Sequence, residues 1–246
     1  MNNIQQVFYH YTPSIEQSMK EKNEFEIYAK KIDLDYILME SFVPTKSIEE
    51  TEQVIGKYFP YLLPLEKHRW PNILGSGTGA NFNSHLLMWE KIVESGKTTA
   101  IFEHDARPLI KFDHFDLPDN FILILGPRIM DVKDYTPSRL CDKFYQIERH
   151  GGSAAYAITP KTAEMFIDHV KKEGIYDSLD QMFFLRLNNK SSKIPMIVAD
   201  PPPCVVVVGE NDKIKKSTLG RVSDNGMQSD LNLYITPGFK EGLKND

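Results

Sequence analysis

At 246 residues the chain is long enough to bury a full core, and one compact α/β domain is the expected arrangement. Hydrophobic residues make up 41% and charged residues 26%, a balance that excludes a disordered chain. The net charge of −5 gives no global attraction to phosphate polymers and weighs against a dedicated nucleic-acid binder. Cys141 and Cys204 are too few for a disulfide framework or a cysteine-rich zinc site, so a reducing compartment fits, with a single bridge left open. The N-terminus lacks the apolar stretch of a secretory signal, and no run approaches the roughly 18 apolar residues of a spanning helix. The expectation is a cytoplasmic protein without an integral membrane segment.

No repeat, low-complexity tract or linker divides the sequence, which reads as a single domain over 1–246. In chain order, Val7 to Tyr11 predicts an opening strand, Ile15 to Ile32 a helix, and Asp35 to Met39 a short strand. A second helix is expected over Ile48 to Tyr58, before a stretch carrying Pro60, Pro64 and Pro71. Gly75 to Asn81, with three glycines, predicts a loop. Phe82, Leu86, Trp89 and Val93 then recur at helical spacing, and Ser95-Gly96 ends that helix. Thr98 to Phe102 reads as a buried strand finishing on Glu103, His104 and Asp105. Strands follow at Phe121 to Leu125 and Ala154 to Ile158, a helix from Pro160 to Val170 with proline in its first turn, and a helical stretch from Leu179 to Leu187. Cys204 to Val208 is further core strand material. Strands separated by helices imply a mixed, mostly parallel sheet between helices, in which ligands bind beyond the carboxyl ends of strands.

Glu103 and Asp105 occupy such an end. In an extended segment they would share a face, with His104 on the other. Two neighbouring carboxylates call for a positive partner, and a divalent cation carrying a diphosphate would serve; a solvated strand end is the plainer alternative. The GSGTGAN loop is no P-loop, since no Gly-Lys-Ser/Thr follows, and it offers either close backbone approach to a ligand or a plain turn. Lys213, Lys215, Lys216 and Arg221 form a basic stretch that is either a solvated loop or a phosphate contact.

Taken together, Gly77-Thr-Gly-Ala-Asn-Phe-Asn-Ser84-His85-Leu-Leu-Met-Trp89 followed by Glu103-His-Asp105 resembles glycosyltransferase family 25, the lipooligosaccharide and collagen galactosyltransferases. Gly77, Ser84, His85, Trp89, Glu103 and Asp105 match the family's pattern in order and spacing, and Gly151-Gly-Ser-Ala-Ala-Tyr-Ala-Ile158 looks like a later family segment. Ala80-Asn81 stands in place of the usual Gly-Cys pair, Thr78 in place of a Glu, and His104 in place of the middle Asp of the acidic triplet.

The resemblance implies a GT-A-like single-domain nucleotide-sugar glycosyltransferase, a hexosyl- or pentosyltransferase moving sugar from a UDP-sugar to a saccharide hydroxyl, as in lipopolysaccharide biosynthesis. It implies Mn2+ or Mg2+ at Asp105 and Glu103, with Glu103 also contacting the donor's ribose or sugar. Gly77, Ser84 and His85 would belong to the donor pocket, Ser84 and His85 opening a helix there; His85 is alternatively a buried structural histidine. Lys215, Lys216 and Arg221 would close over the diphosphate from a C-terminal lid or tail spanning 210–246. An inverting reaction needs a base, for which Asp180 is the first candidate and Asp177 the reserve; both are alternatively helix-capping acids. Two other readings stand beside this one. A phage-type DNA glycosyltransferase would act on a hydroxymethylated base, and a non-catalytic protein would bind nucleotide-sugar without turnover.

Overall fold

A computed structural model of the chain describes residues 2–42, 52, 56–61, 77–126, 143–147, 150, 152–185, 190–200 and 202–206. Strand β1 (Gln6–Tyr11) leads through helix α1 (Glu16–Lys31) to strand β2 (Ile37–Glu40), which lies parallel to it. Within the stretch expected to hold the next helix, the described residues are Glu52, which is helical, and the start of a 3-10 segment, Gly56–Tyr61. Helix α2 (Gly77–Ser95) feeds strand β3 (Thr99–Phe102), which pairs in parallel with the other edge of β1. Strands β4 (Ala106–Pro108), β5 (Ile122–Ile124), β6 (Lys143–Ile147) and β7 (Ala155–Ile158) follow. Helix α3 (Pro160–Glu173), a π-helical segment Asp180–Leu185, and strands β8 (Met196–Asp200) and β9 (Cys204–Val206) complete the described chain.

Seven strands form one sheet in the order β2-β1-β3-β7-β5-β8-β6, while β4 and β9 make a separate antiparallel pair. The sheet is mixed rather than mostly parallel. The pairs β1–β2, β1–β3 and β5–β8 are parallel, and β3–β7, β5–β7 and β6–β8 are antiparallel. What the spacing of helices does not reveal is that β7 enters against β3 from the opposite direction. A parallel neighbour needs a crossover on the same side, whereas a long return can deliver either sense.

Side-chain alternation splits the core into two layers. Phe8, Ile101, Tyr156 and Ile158 face one way and pack with Phe82, Leu86 and Trp89 of α2 and Phe166 of α3. Val7, Tyr9, Ala100 and Phe102 face the other way and meet Phe25 and Ala29 of α1. The predicted apolar stripe of α2 is therefore real, with Phe82, Leu86 and Trp89 buried and Val93 packed at its margin. Helix α3 begins as expected: Thr159 accepts from the Thr162 N–H at 3.3 Å, Pro160 stands in the first turn, and Gly174 closes the end.

The glycine-rich segment differs from expectation, because α2 already runs from Gly77 and includes Thr78 to Asn81. Tertiary packing overrides glycine's low helix propensity here, since Ala80 and Phe82 are both buried. Gly96, at φ +66°, ends the helix in a left-handed conformation open to glycine, its N–H returning to the Ile92 carbonyl at 3.1 Å.

Candidate functional site

The winding of the sheet chooses the site. From β1 the chain goes to β2 on one side, with α1 on one face, and then to β3 on the other side, arriving from α2 on the opposite face. The carboxyl ends of β1 and β3 thus flank a point where strand order reverses, the location at which open α/β sheets bind ligands. Tyr9 pairs with Phe102, so His10 and Glu103 come one step later and lie side by side at that point. By alternation both turn toward α2, like Phe8 and Ile101 before them.

Glu103 is the centre of the hydrogen-bonding network. Its Oε1 accepts from Asn81 Nδ2 at 3.2 Å, from Ser153 Oγ, and faces His85 Nε2 at 3.1 Å. Asn81 and His85 are four residues apart on α2, which puts them on one face of the helix. One turn further on, Trp89 Nε1 donates to the Tyr156 hydroxyl at 2.8 Å, and that hydroxyl meets His85 Nδ1 at 2.7 Å. An indole nitrogen only donates, so the Tyr156 oxygen is the acceptor there, while the direction of the Tyr156–His85 bond follows the His85 tautomer. The contacts thus run from Trp89 through Tyr156 and His85 to Glu103, ending on a carboxylate. His85 also stacks on Tyr156, with centroids 5.7 Å apart and planes 13° apart.

The electrostatics follow from these contacts. Burial alone would raise the Glu103 carboxyl, but the His85 hydrogen bond and the charge of His85 and His10, with Ser153, outweigh it and hold the group well below the usual carboxylate range. His10 is pushed down to about 3 by burial and by the neighbouring His85, against the pull of Glu103. The Tyr156 phenol is raised by burial and by the charges of Glu103 and Asp180, with the Trp89 bond opposing. His10 is anchored through Nδ1 to Ser41 Oγ at 2.7 Å, while its Nε2 has no hydrogen-bond partner.

The Glu103–Asp105 segment is a turn, not an extended strand end. The Ala106 N–H donates to the Glu103 carbonyl at 3.1 Å, so strict alternation of Glu103 and Asp105 does not apply. The turn is fixed from the α1 side. Arg107 Nη1 donates to the carbonyls of His104 and Ala106 at 2.8 and 3.0 Å, and the Tyr9 hydroxyl donates to the His104 carbonyl at 3.3 Å. Among the described residues, the one group of metal-ligating atoms joins Glu103 to His10 and His85, and Asp105 is not in it. His104 is exposed.

Ser84 and His85 do not open a helix. They lie in the third turn of α2, where backbone amides are already bonded within the helix and cannot receive donor oxygens; that capacity belongs to the first turn, which Gly77 begins. The Ser84 hydroxyl donates to the Ala80 carbonyl at 2.8 Å and accepts from the Phe42 N–H at 3.2 Å, tying α2 to the segment after β2. Asp177 is buried and accepts from the Ser178 N–H at 2.8 Å, and Ser178 accepts from the Gln181 N–H at 3.3 Å as the cap of the π-helical segment. Asp180 opens that segment, and its charge reaches the Tyr156 hydroxyl. Lys215, Lys216, Arg221 and the segment 210–246 lie outside the described residues.

Sequence reasoning missed His10, Asn81 and Ser153 as members of the site. No local motif marks His10, and only strand register carries it to Glu103. Asn81 was hidden by the loop reading of its segment. No protein-family model and no curated protein matches the chain.

What the described fold defines is therefore a class: an α/β protein with a mixed seven-stranded sheet, helices on both faces, and a charged cluster at the reversal of strand order. Within the described residues no helix is long and apolar enough to cross a membrane.

Proposed function

We propose that the chain is a glycosyltransferase that moves sugar from a UDP-sugar to a saccharide hydroxyl, with assistance from Mn2+ or Mg2+ and with inversion. One observation carries the reading. Residues from three separate blocks of the family 25 resemblance, His85 and Trp89, Glu103, and Ser153 with Tyr156, meet in a single hydrogen-bonded network at the carboxyl end of β3. Blocks that had only structural roles would have no reason to converge on one ionised carboxylate at a ligand-binding position of the fold.

In this reading Glu103 contacts the donor's ribose or sugar and belongs with Asp105 to the cation site. The bound cation would neutralise charge on the departing diphosphate. Asp180, whose charge like that of Glu103 acts on the Tyr156 phenol, takes the acceptor proton as base. His85, Tyr156 and Trp89 act through Glu103 and are positioning residues.

The test is UDP release from a panel of UDP-sugars, with and without Mn2+, across an oligosaccharide, hydroxymethylated DNA and buffer alone. Mn2+-dependent release accelerated by the oligosaccharide is expected. Acceleration by the DNA alone moves the acceptor to a modified base, and donor binding without release leaves a nucleotide-sugar-binding protein. Asp180→Asn is expected to cut turnover about a hundredfold or more while donor binding stays near normal, and an unchanged rate removes it as base.

A further inference from the structure

His10, which the proposed sugar transfer does not use, lies beside His85 and Glu103. His10, His85 and Glu103 each present one ligand atom, and the three atoms lie within 4.8 Å of one another. Both imidazoles are held by the same device. His10 Nδ1 meets the Ser41 hydroxyl and His85 Nδ1 the Tyr156 hydroxyl, each at 2.7 Å. Tying one ring nitrogen to a polar partner is how proteins fix the orientation of metal-binding histidines, leaving the other nitrogen for the ion. A hydroxyl donates or accepts, so these anchors hold either tautomer, including the one in which Nε2 presents its lone pair.

Three details suit this cluster to an ion. His10 is 4% exposed, and its Nε2 has no hydrogen-bond partner, at a depth where polar atoms are ordinarily matched. The 3.1 Å His85–Glu103 hydrogen bond also comes close to the roughly 3.3 Å between two ligands of a tetrahedral ion with bonds of about 2 Å, so both groups could reach one ion with little movement. Finally, the Glu103 side chain keeps 14% exposure, so the cluster is not sealed from solvent.

We infer that His10 Nε2, His85 Nε2 and Glu103 form a binding site for a single borderline transition-metal ion of the Zn2+ type, with an open fourth position. Two imidazoles with one carboxylate favour Zn2+ or Co2+ over Mg2+, which prefers an all-oxygen octahedral shell. The site would share Glu103 with the cation proposed at Asp105 but draws on different partners, His10 and His85, and it does not rest on the glycosyltransferase reading. Metal uptake is measured without nucleotide, so a chain that binds Co2+ but releases no UDP loses only that earlier reading.

The experiment is titration of the EDTA-treated full chain with Co2+, followed by visible d–d absorption and by competition with Zn2+ and Mg2+. One equivalent with the intense bands of four-coordinate Co2+ is expected, displaced by Zn2+ and not by excess Mg2+. His10→Ala and Glu103→Gln should each weaken uptake at least a hundredfold. Ser41→Ala, which removes only the anchor, should weaken it about tenfold to a hundredfold. Should His10→Ala fail to fold, the other two variants decide. Absence of the bands overturns the inference, as does uptake that survives the variants, which would assign the metal to a surface histidine such as the exposed His114.

Discussion

Two ionic groups stand four residues apart, the half-buried Glu103 and the buried Arg107, and the fold treats them in opposite ways. Arg107 is fully enclosed on the α1 side, where its guanidinium pairs with Glu21, meets Glu24 at 3.1 Å, and donates to two backbone carbonyls. Its charge is met by charge, and its geometry clamps the turn that follows β3. Glu103, on the α2 side, is held instead by neutral or titratable donors, Asn81, Ser153 and His85. It keeps a partly exposed edge beside an imidazole nitrogen that has no partner. A matched buried pair is structural. A carboxylate held low by hydrogen bonds, with part of its edge still exposed, is the kind of group that functional sites favour.

The largest expected effect lies on the structural side. Arg107→Met should cost about 3 kcal/mol in urea unfolding, at the low end for a broken buried ion pair because Glu21 and Glu24 can rehydrate. A loss within experimental error would mean that the clamp is dispensable and the contrast between the two groups is false. Tyr156→Phe should follow at about 2 kcal/mol, since it strips the acceptor from Trp89 and leaves His85 Nδ1 unmatched in a dry interior.

The pH dependence tests the functional side. The folded His10 titrates at about 3 against an unfolded value of 6.5, and it is faced by His85, Glu103 and His104. The unfolded chain therefore binds a proton that the folded chain refuses. Stability is full above pH 6.5 and falls as pH drops toward 3, with a slope approaching about 1.4 kcal/mol per pH unit. Glu103, held below its ordinary range, adds to the loss at pH values beneath its unfolded value of 4.5. Unfolding free energies measured across this range should show the fall, and His10→Asn should flatten its upper part; a parallel curve for that variant would remove His10 from the account. Asn81→Ala should have the smallest effect, about 1 kcal/mol, because two other donors remain on the same carboxylate oxygen.

Much of the local structure was legible from residues alone. The α2 stripe of Phe82, Leu86 and Trp89 and the Thr159-Pro160 start of α3 are local signals, and the structure shows both. Glu103 also stood out, as an acidic residue at the end of an apolar strand. The glycine run misled, since burial of Ala80 and Phe82 extends the helix through residues whose intrinsic preference is for a loop. The pairing of Glu103 with Asp105 on one face assumed a strand that the Glu103–Ala106 turn has already ended.

By itself the sequence determined where the helices and buried strands of the α/β layers lie, because periodicity and caps act between residues only a few positions apart. The tertiary structure alone decided that β7 runs antiparallel to β3 and that β1 and β3 are neighbours. It likewise brought His10 to Glu103 across more than ninety residues and set Ser41 and Tyr156 against the two imidazoles. Such contacts have no local signal, because they follow from register and winding, which are fixed when the whole sheet buries its two faces.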